Sequence, residues 1–100
     1  MKDKPVYLIG DIWVKNPTEY AEYVEKVTPV AEKYGGKYLI RGGRVDVMEK
    51  QNWNPKRIVL IRFPNIEKAI KWYECEEYQP IKSLRIRNSK SNIVFVEGID

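Results

Sequence analysis

Two residue types that many active sites and metal centres depend on are almost missing from this chain. Its 100 residues include no histidine and a single cysteine, Cys75. Without histidine there is no serine–histidine or cysteine–histidine nucleophile, no histidine general base and no histidine-ligated haem. One cysteine forms neither an intrachain disulfide nor a cysteine-based zinc site. Any catalysis would use carboxylate, tyrosine, lysine, arginine or backbone groups or a bound cofactor, and we predict neither a metal nor a cofactor.

Long apolar runs and blocks of like charge are also missing. No stretch approaches the roughly 18 apolar residues that span a membrane. Residues 1–5 lead directly into a strand-like segment rather than into an apolar signal region. Acidic and basic residues are interspersed, and the net charge of +4 indicates anionic partners only weakly. We therefore expect one soluble domain over residues 1–100, in a reducing, cytoplasmic setting, with no membrane association.

Apolar residues recur at helical spacing in two regions. The first helix is predicted to begin at Asn16-Pro17, a capping residue followed by proline at the first helical position, and to end at Gly35-Gly36. The second begins at Pro64-Asn65, and its pattern is interrupted by the polar residues 74–77. It resumes as a shorter helix over residues 78–87. The second helix is therefore predicted to be split.

The remaining segments rich in β-branched and aromatic residues are predicted to be strands. Glycines 42 and 43 separate two of them and indicate a tight hairpin. The order of elements predicts an α+β protein of ferredoxin-like βαββαβ topology with a four-stranded antiparallel sheet. Five segments are strand-like, one more than the four strands of this topology: Val6–Val14, Lys37–Arg41, Arg44–Lys50, Lys56–Phe63 and Ile93–Glu97.

The strands carry apolar residues on both faces, which has a consequence for assembly. Right-handed crossovers place both helices on one face of the sheet. The other face would then be exposed, although the segments 6–14, 58–61 and 93–96 are apolar in both registers. Because monomers rarely expose so large an apolar patch, we expect a homodimer whose sheets pack together. The alternative is a monomer with an exposed sheet face.

Several short motifs resemble those of a known family of small bacterial proteins, domain of unknown function 1330. The most specific is Tyr-Gly-Gly-x-Tyr-Leu-x-Arg-Gly-Gly over residues 34–43, and the resemblance extends from Val6 to Gly98. Weaker matches are Ile9-Gly10-Asp11-Ile12, Trp72-Tyr73 and Glu77-Tyr78-Gln79.

The resemblance implies a ferredoxin-like fold and a dimeric α+β barrel, in which the sheets of two subunits pack together. It implies no reaction, because the family has no established activity. The wider superfamily includes cofactor-free monooxygenases, lactone isomerases and haem-dependent enzymes. Its haem-dependent members typically use a histidine ligand, which this chain lacks. Kinship at the level of fold is only an analogy for function.

Asp11 and Arg41 are the candidate catalytic residues. Asp11 is a carboxylate at the centre of an apolar strand, where it would act as a general base or ligand anchor. Alternatively it forms an ion pair with Arg41 or Arg62, or lies at the dimer interface. Arg41 precedes Gly42-Gly43 at a strand end, where a guanidinium can hold a carboxylate or phosphate. It is equally consistent with an acidic partner or with solvation.

Four aromatic residues at or near helix ends are candidates for lining a ligand pocket between the sheet and the helices. Their rings would supply apolar walls, and the tyrosine hydroxyls would supply polar groups. The alternative is that they belong to a filled core. They are Tyr34, Trp72, Tyr73 and Tyr78.

A local group of basic residues raises the possibility of nucleic-acid binding. RNA-recognition domains of similar topology stack bases on aromatic residues of their central strands. The segment 44–50 has no aromatic residue, and a dimer would cover that sheet face. We therefore interpret the group as a solvated basic surface and expect no nucleic-acid partner. Its members are Lys82, Arg85, Arg87 and Lys90.

Two functional classes remain. The first is a small-molecule-binding protein or cofactor-independent enzyme with a pocket between sheet and helices, which would bind an apolar or acidic ligand. The second is a non-catalytic dimeric interaction module. The first requires a cavity that holds Asp11 or Arg41 beside the pocket aromatics, and the second requires a filled core in which these groups satisfy one another.

Overall fold

A computed structural model describes residues 3–99 as seven elements of secondary structure. Four strands form one sheet, and three helices lie against it. The elements are β1 (Val6–Val14), α1 (Pro17–Lys33), β2 (Lys37–Arg41), β3 (Ile58–Phe63), α2 (Ile66–Glu74), α3 (Tyr78–Asn88) and β4 (Ser89–Glu97).

Helix α1 begins and ends where its capping residues predict. The Asn16 side chain accepts a hydrogen bond from the Glu19 amide at 3.3 Å, and Pro17 occupies the first turn. At the other end Gly35 adopts a positive φ of 83°, which costs glycine little. The Gly36 amide then donates to the Ala31 carbonyl at 2.9 Å, so the last turn closes in a Schellman motif.

The second helical region is split, as the sequence predicts. Helix α2 starts at the Asn65 cap, whose side chain accepts from the Lys68 amide at 2.9 Å. After α2 the backbone becomes extended at Cys75, and α3 starts at Tyr78. The Gln79 side-chain amide donates to the carbonyls of Tyr73 and Cys75, at 3.0 and 2.9 Å, and so stabilises the break.

The sheet has the ferredoxin-like order β2-β3-β1-β4, and every neighbouring pair is antiparallel. The predicted α+β fold class and ferredoxin-like topology are therefore confirmed. β1 lies between β3 and β4, and Gly10 at its centre is opposite Val59 on one side and Ile93 on the other. Strand β4 begins at Ser89, four residues before its predicted start, because its first residues pair with the end of β1.

The predicted strand over residues 44–50 and the tight hairpin at Gly42-Gly43 are wrong. β2 pairs directly with β3, and a long loop over residues 42–57 connects the two strands. Gly42 does take a positive φ of 75°, but its amide donates to the Ile58 carbonyl at the start of β3. All residues from 42 to 54 are exposed. The segment buries no apolar face, and β propensity alone does not make a strand.

The two faces of the sheet differ in burial. Residues of β1 at even positions, such as Leu8 and Ile12, are 3% exposed and contribute to the core beneath the helices. Residues at odd positions point to the opposite face, where Ile9 is 38% exposed and Trp13 54% exposed. Val94, which pairs with Ile9, is 52% exposed on the same face. The structure therefore leaves one apolar sheet face uncovered by its own helices.

Candidate functional site

A cavity lies between the helix-facing side of the sheet and helices α1, α2 and α3. Its floor includes Val59 and Ile93, the two residues that pair with Gly10. A side chain at position 10 would point to this side of the sheet, and a Cβ there would meet Ile12 and Ile93 at 3.6–3.7 Å, an ordinary contact. Glycine in a strand interior often marks close approach by another group. Here Gly10 lies between two cavity-lining residues of the neighbouring strands.

The cavity is small. Its volume is about 20 Å³, a little above the roughly 10–15 Å³ that one water molecule needs. Typical ligand pockets are about 300 Å³ or larger. A larger molecule would therefore enter only if the side chains at its mouth moved.

Tyr38 and Arg41, two of the side chains at the mouth of the cavity, are in contact with each other. The Arg41 guanidinium lies 4.4 Å from the centre of the Tyr38 ring, in a cation–π contact. Arg41 also donates from Nη1 to the Thr28 hydroxyl at 2.8 Å. Because Arg41 is exposed, it can change rotamer without unpacking the core.

Buried tyrosines supply the neutral polar groups of the cavity. The hydroxyls of Tyr23 and Tyr78 are 2.9 Å apart, in a buried hydrogen bond that joins α1 to α3. Trp72 stacks on Tyr78 with their ring centres 4.4 Å apart. Burial raises the pKa of Tyr23 well above its ordinary value, and it also raises the pKa of Tyr78 and Tyr38. These hydroxyls therefore stay protonated at neutral pH and act as proton donors rather than bases.

Arginine supplies the charge. Arg85 from α3 is only 4% exposed, and its Nη1 donates to the Ser91 hydroxyl at 2.6 Å. Burial opposes its charge, but the hydroxyls of Tyr78 and Tyr23 outweigh that effect and raise the pKa of Arg85. Arg57 lies 5.3 Å from the centre of the Tyr20 ring. The guanidiniums of Arg41, Arg57 and Arg85 thus share one cavity lining, which contains no aspartate or glutamate among the described residues.

The structure brings together three of the six candidate residues. Arg41, Trp72 and Tyr78 all line the cavity. Tyr73 contacts Trp72 and Tyr78 by its ring but lies outside the lining, beneath Lys82 at 4.6 Å. Tyr34, at the end of α1, lies beside Cys75, and its hydrogen bond with the thiol raises the pKa of Tyr34.

Asp11 lies on the opposite face of the sheet and does not share the cavity with Arg41. Its carboxylate accepts a hydrogen bond from the Trp53 indole at 2.8 Å, and so attaches the loop 42–57 to β1. It occupies a shallow groove with Trp13, Lys56 and Lys90. Among residues 3–99 it forms no ion pair with Arg41 or Arg62. Its position fits the third alternative, a residue of the face expected to meet a second subunit.

Several cavity residues are not among those that the sequence indicates. Arg85 belongs by sequence to a solvated basic surface, but it is buried; Arg87 and Lys90 are exposed. The sequence feature that indicates burial of Arg85 is its apolar neighbour Leu84, which is also buried because this part of α3 faces the core. Gly10 carries a second signal, since a glycine within an apolar strand weakens it unless space is needed. The other residues missed are Tyr20, Tyr23, Tyr38 and Arg57.

Over residues 3–99 no three carboxylate or cysteine side chains are grouped as a metal site would require. Within the same part of the chain, no helix combines the length and apolar character that crossing a membrane demands.

Comparison with known proteins establishes the family. The family model described as domain of unknown function 1330 matches residues 5–99, nearly the whole chain. The chain belongs to this family. The resemblance expected from the motif over residues 34–43 is thereby confirmed. No curated protein sequence matches the chain.

Solved structures with the same fold span almost the full chain at low sequence identity. A protein of unknown function from Rhodopseudomonas palustris has a TM-score of 0.78 at 14% identity and covers 99% of this chain and 85% of its own. SnoaB, a cofactor-independent oxygenase from Streptomyces nogalater, has a TM-score of 0.68 at 8% identity, with 97% and 95% covered. A proposed antibiotic biosynthesis monooxygenase from Nitrosomonas europaea has a TM-score of 0.60 at 15% identity, with 99% and 93% covered. At these identities the likeness establishes the fold alone.

Proposed function

We propose that this protein binds a small organic molecule in the cavity between its sheet and its helices. The observation that carries the proposal is the cavity itself, in which aromatic walls surround buried polar atoms without protein partners. Trp72 is 1% exposed, and its indole N–H has no acceptor within the described chain. Buried polar groups are nearly always hydrogen-bonded. An unpaired donor at a cavity wall is therefore a position where a ligand gains a hydrogen bond.

The polar groups suit chemistry that needs no cofactor. Tyr23 and Tyr78 are protonated donors, and the arginines can stabilise negative charge that develops on a bound molecule. Of the two catalytic candidates from the sequence, Arg41 keeps that role as a group at the cavity mouth. SnoaB, whose fold is similar, is a cofactor-independent oxygenase. We therefore propose the class of small-molecule-binding proteins and cofactor-independent enzymes, without assigning a reaction.

The decisive experiment is a thermal-shift screen of small aromatic compounds and carboxylates, repeated on a variant whose cavity is filled. Gly10→Val places two methyl groups beside Ile12 and Ile93, which line the cavity, and valine suits a strand. We expect compounds that stabilise the wild-type protein to lose their effect in Gly10→Val. Gly43→Val is the matched control, because nothing lies within 4 Å of a Cβ at that exposed position. If no compound stabilises the wild type, or if Gly10→Val retains every shift, the cavity is not the binding site.

A second candidate function, a non-catalytic dimeric interaction module, is favoured by the uncovered sheet face. Ile9, Val94 and Val96 are 38%, 52% and 46% exposed, and the strand register places them side by side. We propose that a second copy of the chain covers this face, as the resemblance to dimeric α+β barrels implies. Dimerisation through this face and ligand binding in the cavity are compatible, because the cavity lies on the other side of the sheet.

Light scattering tests the dimer. We expect a mass of about twice the 11.8 kDa of the chain. Val94→Lys places a charge at the centre of the apolar face and should yield the monomer mass, because the packed sheets would bury that charge without a partner. Ile86→Lys is the control, since Ile86 is 56% exposed on α3, on the side of the sheet that the helices cover. A wild-type mass near 11.8 kDa would overturn the dimer.

A further inference from the structure

We propose that the ligand of the cavity is a small organic anion whose charged oxygen binds Arg85, with its apolar or aromatic body against Trp72. The inference rests on the proposed function, because it names the chemical class of the molecule that the cavity binds. It assigns a binding role to Arg85, which no motif of the chain indicates. Three independent features of the cavity support it: its unpaired donors, its unbalanced charge and its depth.

The cavity has donors without acceptors. Three buried nitrogen atoms have no hydrogen-bond partner in the described residues, Nε of Arg57, Nε1 of Trp72 and Nε of Arg85. All three residues line this one cavity. Leaving a buried donor unpaired is costly, and the cost is larger for charged groups. A ligand that presents acceptor oxygens satisfies them, whereas a ligand that presents donors does not.

The positive charge of the cavity is not balanced by the described part of the protein. The ion pairs found over residues 3–99 are Lys26–Glu22, Lys33–Glu77 and Arg44–Asp46, all of them exposed. None of them includes an arginine of the cavity. The tyrosines do not supply the missing negative charge, because their hydroxyls stay protonated at neutral pH. Since buried charges are normally paired, an anionic ligand is the natural partner.

The three cavity arginines differ in how deeply they are buried, and this difference orients the ligand. Arg41 is exposed at the mouth, Arg57 is half-buried, and Arg85 is the most deeply buried. An anion attracted at the mouth therefore finds its strongest, least solvated partner at Arg85, where a guanidinium can bind a carboxylate through two hydrogen bonds. Trp72 stacks with Tyr78 beside it and offers an aromatic wall to the rest of the molecule. A small aromatic carboxylate matches this arrangement in chemistry, and it enters only when the Arg41–Tyr38 pair moves and the cavity widens, because the present volume holds about one water molecule.

The experiment compares benzoate with benzamide, its neutral analogue of nearly the same shape. Thermal shift and calorimetric titration are measured on the wild-type protein at constant ionic strength, and on Arg85→Gln. Arg87→Gln is the matched control, because it removes the same charge from an exposed position of the same helix. Arg57→Gln is the second variant, so that the test does not depend on the folding of Arg85→Gln. Phenylacetate and phenylacetamide serve as a second, longer pair.

We expect the carboxylates to stabilise the wild type and the amides to do so far less. Losing one charge-assisted hydrogen bond should weaken benzoate binding by about ten- to a hundredfold in Arg85→Gln, and leave it unchanged in Arg87→Gln. Equal binding of benzoate and benzamide, or unchanged benzoate affinity in Arg85→Gln, would overturn the anion inference while the cavity remained a binding site. If the thermal-shift screen of aromatic compounds and carboxylates finds no ligand of any charge, the proposed function itself fails.

Discussion

The hydrogen bond between Tyr23 and Tyr78 offers the sharpest test of how the cavity is held together. Its oxygen atoms are 2.9 Å apart, and both residues are almost fully buried. Tyr23→Phe removes this bond and leaves Tyr78 in place beside Arg85, which lines the same cavity. A buried neutral hydrogen bond contributes about 1 kcal/mol, so this variant should lose about that much of its free energy of unfolding.

Tyr78→Phe should lower the free energy of unfolding by more than Tyr23→Phe does. It removes the same bond and also deprives the buried Arg85 guanidinium of its tyrosine neighbour. Because leaving a buried charged group with poorer polar surroundings costs about 1–3 kcal/mol beyond the lost bond, we expect the free energy of unfolding to fall by about 2–4 kcal/mol in total. For a chain of this size, 1 kcal/mol shifts the melting temperature by about 4–8 °C. The two variants should therefore be distinguishable in one thermal scan.

The double variant Tyr23→Phe/Tyr78→Phe completes a double-mutant cycle. Once Tyr78 is phenylalanine, Tyr23 has already lost its partner, so the double variant should be scarcely less stable than Tyr78→Phe alone. The coupling energy should be about 1 kcal/mol. Urea unfolding at one fixed protein concentration measures all four proteins. Thr18→Val, which removes a hydroxyl from an exposed position of α1, is the control and should change stability by only a few tenths of a kcal/mol. If the losses of stability in the two single variants simply add in the double variant, the hydrogen bond does not contribute to stability.

Two further predictions concern pH and packing. Burial raises the pKa of Tyr20, Tyr23 and Tyr78, so the folded chain holds these protons more tightly than the unfolded chain does. The contribution of these tyrosines to the free energy of unfolding should be constant below about pH 10 and fall as the pH rises further. The fall should be shallower in Tyr23→Phe, which lacks one of these protons. Urea midpoints that stay constant above pH 10 would contradict this prediction. Gly36→Ala should lower the free energy of unfolding by about 1–3 kcal/mol, because the added Cβ would lie 2.8 Å from the Phe63 ring. A Gly36→Ala variant as stable as the wild type in urea would show that this contact relaxes freely.

Local signals predicted most of the fold. The Asn16 cap and the Gly35 positive φ set the ends of α1, and the polar interruption at residues 74–77 predicted the break between α2 and α3. These features depend on neighbours within a few positions along the chain, which sequence spacing describes well. The segment 44–50 has the composition of a strand, yet whether it pairs depends on a tertiary partner. No such partner covers it among the described residues, and it lies in an exposed loop.

The site was predictable only in part. The positions of Arg41, Trp72 and Tyr78 near strand and helix ends indicate a shared pocket, and these residues do line one cavity. Asp11 is a candidate because a carboxylate in an apolar strand is unusual, but alternation along the strand points it to the other face. The choice between the two faces depends on which one the helices cover at that position, and helix packing is a tertiary property.

Cap residues, glycine positions and hydrophobic periodicity act locally, and from them the topology and the surplus of apolar surface on the strands could be predicted. The lack of histidine likewise limits the available chemistry, whatever the fold. Which charges are buried together depends instead on tertiary packing. Arg85 is one of four basic residues close together in sequence, yet helix packing buries it against Tyr78 while Arg87 remains exposed. Burial depends on contacts between distant segments, and it makes one arginine of α3 a candidate ligand-binding residue.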